Sequence, residues 1–213
     1  PQKIDPRKED RSQPRGIAAG PDGNIWFTEI GTGKIGRITP QGVITEFDIP
    51  WANATPRGIT LGPDGNLWFT DSGALSIGRL TPTGSFTRFT LPWASNNLRG
   101  ITTGPDGNLW FVELTGNRVG RITPAGVATE FPLPRSGAAP LSIVAGPDGA
   151  VWYTASSANR VGRVSTATGQ ITEYRLPSAG GAPIGVVVGP NNVMWITNSN
   201  SAVNKISMLS IAG

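Results

Sequence analysis

One interval governs this chain. The dipeptide Gly-Pro begins at Gly20, Gly62, Gly104, Gly146 and Gly189, a tryptophan follows at Trp26, Trp68, Trp110, Trp152 and Trp195, and both series advance by 42, 42, 42 and 43 residues. A fixed period of this size marks an architecture in which one supersecondary unit stacks on copies of itself. Turn signals cut each unit into four segments, read in the first unit as RGIAAG, NIWFTE after Pro-Asp-Gly, KIGRIT, and VITEFDI after Pro-x-Gly. Four short strands in about 42 residues match a β-propeller blade. The expected fold is therefore all-β, a propeller of five four-stranded blades with limits near residues 14–55, 56–97, 98–139, 140–182 and 183–213. The segment 1–13 precedes it as a candidate closing strand. A helical alternative fails on the 29 glycines and 19 prolines.

The recurring residues have structural readings. Adjacent apolar residues such as Ile25, Trp26 and Phe27 suit a strand covered on both faces, and the five tryptophans are expected to fill the space between blades. A single acid in each Pro-Asp-Gly-Asn turn is what turn chemistry requires and does not make a cation loop. The pairs Gly36-Arg37, Gly78-Arg79, Gly120-Arg121 and Gly162-Arg163 lie in mid-strand, where a structural salt bridge is expected. Closure of the ring is the open point. The fifth unit stops at VNKISMLSIAG without a strand matching Thr45–Phe47 or Thr172–Tyr174. Two arrangements follow: residues 2–9 supply an irregular clasp and the ring is monomeric, or the five blades belong to a larger or oligomeric assembly.

Composition narrows the chemistry. The chain has no histidine, so the commonest general base and transition-metal ligand are missing, and no cysteine, so disulfides and thiol chemistry are excluded. The net charge of +4 is spread without a basic stripe, and no apolar run approaches the roughly 20 residues of a membrane span, so neither nucleic acid nor membrane is an expected partner. The start at Pro1, without methionine, suggests a processed leader and leans towards a secreted or periplasmic bacterial location.

The unit PRGI..GPDGN(I/L)WFTE…IGRITP.G..TEF.(I/L)P resembles the repeat of the virginiamycin B lyase (streptogramin lyase) family from about residue 14 to 206. The resemblance implies a propeller, seven-bladed in the lyases, that opens cyclic depsipeptide antibiotics by elimination. A histidine there removes the proton beside the ester carbonyl, and Mg²⁺ held by carboxylates and histidine stabilises the enolate. At the family's histidine position this chain has Arg15, Arg57, Arg99, Leu141 and Ile184. Two residues earlier, where the family has glutamate, stand Gln13, Thr55, Asn97, Ala139 and Ala182. Only the acid fourteen residues later survives, as Glu29, Asp71 and Glu113, with Ala155 and Asn198 in the other units. No catalytic residue and no cofactor is therefore expected; Mg²⁺ enters only if the lyase alternative holds.

Arg15 with Glu29, Arg57 with Asp71 and Arg99 with Glu113 are expected to meet across the first two strands of their blades. The plainer reading is a ring of surface ion pairs around the channel mouth, which stabilise little. The alternative is a ligand face, charged on blades 1 to 3 and apolar at Leu141 and Ile184, with Trp51 and Trp93 exposed in the loops leading to it. Its ligand would be an amphipathic small molecule, a peptide or a glycan. Three functions follow: a non-catalytic binding propeller, a Mg²⁺-dependent C–O lyase, or a structural module assembling through its last blade.

Overall fold

The computed structural model describes residues 11–93, 97–177, 180–199 and 204–211. These form five antiparallel sheets whose strands follow chain order from the innermost outwards, with no α-helix among the described residues. Four sheets have four strands and the last has three, Pro183–Val188, Val193–Asn198 and Lys205–Ser210. The innermost strands, Pro14–Ala19, Pro56–Leu61, Leu98–Thr103, Pro140–Ala145 and Pro183–Val188, pack side by side in sequence order. No comparable packing joins the fifth to the first among the described residues. The segment 2–9 considered as a clasp lies outside them.

The core consists of layers between successive blades. Trp26, Ile35 and Ile49 of blade 1 pack with Ile59, Leu67 and Phe69 of blade 2, and equivalent clusters fill the next three interfaces. The repeat motif explains how each tryptophan is fixed. Gly23, Gly65, Gly107 and Gly149 take φ near +73° in the turn (74, 73, 74 and 72°), which glycine adopts without a Cβ penalty. The aspartate before each then accepts the indole N–H of Trp26, Trp68, Trp110 or Trp152 at 3.0, 2.9, 2.9 and 3.1 Å. The outer-strand ring stacks on the same indole, as Phe47 on Trp26 at 5.3 Å and Phe89 on Trp68 at 5.2 Å.

The Gly-Arg pairs complete this column. Phe69 lies across Gly78, where a Cβ would come within 2.1 Å of the ring, and Phe27, Phe111 and Tyr153 lie likewise on Gly36, Gly120 and Gly162. The next residue stands opposite the tryptophan, so Arg79 covers Trp68 and Phe89 at 5.5 Å each and reaches Asp64 at 3.5 Å. The expected salt bridge thus lands on the turn aspartate, in company with a cation–π contact.

The last blade departs from the expected packing. Trp195 is 39% exposed against 0% for Trp68, and Ile206 is 65% exposed where Ile35 and Ile77 are fully buried. Among the described residues, no outer strand and no following blade covers that face.

Two outcomes are expected. Gly78→Ala should lower the denaturant midpoint by the equivalent of about 1–3 kcal/mol, since the added methyl enters a filled ring contact; an unchanged midpoint would mean the ring moves aside freely. The turn aspartates make stability acid-sensitive. Burial raises Asp64, but hydrogen bonds from Asn66 and Trp68 outweigh it and hold the carboxyl below its ordinary 3.8. Asp22 is lowered in the same way by Trp26 and Asn24, and Asp148 by hydrogen bonds from Arg163 and Trp152. A depressed carboxylate stabilises the fold above its unfolded value and loses that contribution as pH falls through the folded one. The melting temperature should therefore fall below about pH 3.8, less steeply in Asp64→Asn.

Candidate functional site

Each innermost strand carries a β-bulge at its start. In blade 1, Pro14 faces Glu29 and the register then passes to Ile17 opposite Phe27, so that Arg15 and Gly16 together face Thr28. The same shift puts Arg57 and Gly58 against Thr70, and Arg99 and Gly100 against Val112. A bulge re-aims the side chain of its extra residue. Here it turns the arginine into the central channel and leaves the acid behind the strand.

A threonine locks this geometry between blades. Gly58 N–H donates to Thr70 Oγ1 at 2.9 Å, and that hydroxyl donates to the carbonyl of Arg99 in the next blade at 2.6 Å. Thr28 joins Gly16 to Arg57 in the same way, at 2.8 and 2.7 Å. The glycines let the strands approach, since a Cβ on Gly58 would lie 2.7 Å from the Arg99 carbonyl oxygen. Arg57 and Arg99 are thus held through their own backbone by the preceding blade.

The result is a cavity of about 490 Å³ at the channel mouth, lined by Arg15, Arg57 and Arg99 on one side and Leu141, Ser142 and Ile184 on the other. No carboxylate lines it among the described residues. Burial, then the charge of Arg15, pulls Arg57 below the ordinary guanidinium value; burial, then Arg57 and Arg15, act likewise on Arg99. The three cations therefore feel one another. The Nε atoms of Arg57 and Arg99 are buried without a hydrogen-bond partner among the described residues.

The ion pairs expected between arginine and acid are not formed. Asp71 and Glu113 are fully buried and Glu29 is 3% exposed. Asp71 accepts the Trp51 indole N–H at 2.7 Å and the backbone N–H of Thr55 at 2.7 Å, with Gly73 and Ala74 N–H at 3.2 Å. Glu113 accepts from Trp93 Nε1 at 2.6 Å, and Glu29 from Thr32 Oγ1 at 2.9 Å. Trp51 and Trp93 are likewise not channel aromatics. Trp51 stacks on Phe69 at 6.1 Å with Arg88 5.7 Å away, and Trp93 packs among Leu98, Ile101 and Phe111. The i to i+14 spacing does not produce contact, because the bulge places one extra residue between the Pro14–Glu29 and Ile17–Phe27 pairs. Of the eight residues singled out, the structure gathers only the arginines in the cavity.

The virginiamycin B lyase family model matches residues 5–208. The chain belongs to the virginiamycin B lyase family. It is 40% identical to a virginiamycin B lyase of Staphylococcus aureus, solved as a catalytically inactive histidine-to-alanine variant with quinupristin, over 96% of this chain and 68% of that one, with a TM-score of 0.89. A selenomethionine form of the S. aureus enzyme matches at 34% identity and TM-score 0.84, covering 96% and 72% of the two chains. A streptogramin B lyase matches at 34% and 0.85, covering 97% and 71%. No curated protein matches the chain.

The Mg²⁺ implied by this family does not fit the residues here. The three acids lie in separate blade interfaces and direct oxygens to indole, hydroxyl or backbone donors, and no three acidic, histidine or cysteine side chains converge among the described residues.

Like charges gathered without counter-ions among the described residues oppose folding, whereas the buried acid supports it. Arg57→Leu should therefore raise the urea midpoint, and Asp71→Ala should lower it by the equivalent of about 2–3 kcal/mol by leaving Trp51 and Thr55 N–H groups unpaired. Equal losses in both variants would mean that Arg57 is a packing residue.

Proposed function

We propose that these five blades form a non-catalytic ligand-binding propeller whose channel mouth takes an amphipathic ligand through an anionic group, with a carboxylate-bearing apolar peptide or depsipeptide as the ligand class. The carrying observation is the convergence of Arg15, Arg57 and Arg99 on a cavity with no lining carboxylate among the described residues. Guanidinium groups supply forked donors for a carboxylate, while Leu141 and Ile184 offer apolar surface for the body of the ligand. The cavity's volume of about 490 Å³ suits a ligand of a few residues. A glycan is less favoured, because Trp51 and Trp93 are engaged in the blade interfaces and present no stacking platform.

Family membership favours the lyase as the second reading. The S. aureus relative is described as catalytically inactive when one histidine becomes alanine, and none of the 213 residues here is histidine. At the repeat position where the family resemblance places histidine stand Arg15, Arg57, Arg99, Leu141 and Ile184, none of which can serve as the base at neutral pH.

Titration with acetyl-Leu-Leu-Phe should give saturable binding that weakens about tenfold or more in its C-terminal amide and in Arg57→Leu. Equal affinity for acid and amide would sink the anionic reading. Quinupristin incubated with the protein and Mg²⁺ should keep its chromatographic retention. A metal-dependent isomer of unchanged mass but new retention, formed at catalytic yield, would overturn the non-catalytic one.

A further inference from the structure

A second group of cations gathers between blades 3 and 4, and nothing in the channel-mouth reading uses it. A recess of about 610 Å³ is lined by Arg135, Arg160 and Arg175 together with Ser136, Ser157 and Asn159. It follows from substitutions at repeat positions that elsewhere carry structural partners.

The first is Arg135. It occupies the loop position of Trp51 and Trp93, whose indoles donate to Asp71 and Glu113 twenty residues on. The corresponding residue in blade 4 is Ala155. The tryptophan and its acceptor are thus replaced together, and a guanidinium stands where an indole was anchored. The loop is nonetheless held in place. Asn117 Nδ2 donates to the Arg135 carbonyl at 2.6 Å, and Ala138 N–H donates to Asn117 Oδ1 at 2.8 Å.

The second is Arg175, directly opposite Arg160 across the third and outer strands. In blade 1 the same two positions are Lys34 and Asp48, joined at 3.5 Å, with Glu46 also on Lys34 at 2.8 Å. In blade 3, Arg118 pairs with Glu130 at 3.2 Å. Blade 4 has the equivalent acid, Glu173, but its carboxylate meets Arg135 Nε at 3.3 Å and accepts the Tyr153 hydroxyl at 3.1 Å. Arg160 and Arg175 therefore face each other with no ion pair among the described residues. Like charges directly opposite in a sheet are unfavourable. Three guanidiniums with one carboxylate between them leave an excess of positive charge in a recess that also offers two hydroxyl donors.

We propose that this recess is an oxyanion site for the phosphate group of a phosphorylated ligand, separate from the channel mouth. Clustered guanidiniums and hydroxyls suit a tetrahedral group carrying more than one charge, because several oxygens can each take a donor from a different side.

The probe is pyrophosphate, titrated calorimetrically at low ionic strength into the full chain carrying Arg57→Leu and Arg99→Leu, so that of the three channel-mouth cations only Arg15 remains. Saturable binding at one site is expected. Adding Arg175→Asp, which restores the cation–carboxylate pairing that blade 1 shows between Lys34 and Asp48, should weaken it tenfold or more while preserving the melting temperature. Absence of saturable binding in the double variant overturns the proposal, as does binding that survives Arg175→Asp unchanged. If Arg175→Asp unfolds the chain, Arg175→Gln replaces it with the same two readings.

Discussion

The contact on which the site depends is the threonine hydroxyl between neighbouring innermost strands. Thr28 and Thr70 each take the N–H of a bulged glycine in their own blade and give a hydrogen bond to the carbonyl of the next blade's arginine. The bulge exists because the strand has one more residue than its partner there, and the hydroxyl satisfies the backbone groups that the bulge removes from the ladder. Thr154 continues the pattern from Ser142 N–H to the Ile184 carbonyl. Val112, which has no hydroxyl, stands at this position in blade 3.

This arrangement separates two kinds of charge that the sequence places close together. The acids stay in the blade interfaces, where indole and backbone N–H groups compensate their burial. The arginines face the channel without counter-ions among the described residues. A cluster of cations left unneutralised by the fold favours the unfolded chain, so its presence in a repeat that can pair charges readily, as at Lys34 with Glu46, argues for an anionic visitor. The recess between blades 3 and 4 follows the same logic by a different route: the indole lock is replaced by arginine, and the opposing acid is replaced by a cation.

The stability of the blades rests on another column, from the turn aspartate through tryptophan and the outer aromatic to the mid-strand arginine. Because these members come from three strands and one turn of the same unit, each blade carries most of its own ordering. The neighbouring blade supplies apolar cover and a few hydrogen-bond acceptors, such as the Arg57 and Arg99 carbonyls. The fifth unit lacks this column: Asn191 and Asn192 stand where the other turns have aspartate and glycine, and Met208 faces Trp195 where the other blades have arginine, while Trp195 and Ile206 remain exposed.

The sequence by itself determined the repeat, the number of blades, the strand order within them and the burial of Trp26, Trp68, Trp110 and Trp152, because a 42-residue period with fixed turn glycines admits little else. It also exposed the loss of histidine. Tertiary structure alone decided which residues share a site. A one-residue bulge sends Arg57 and Asp71 to different environments, although an unbroken antiparallel register would have made them neighbours. It likewise drew Trp51 and Trp93 from the expected ligand face into the blade interfaces, where the acids provide the acceptors their indoles need. The approach of Arg135, Arg160 and Arg175 from separate segments was equally invisible in the chain, since only packing of blade 3's exit loop on blade 4 brings their charges together.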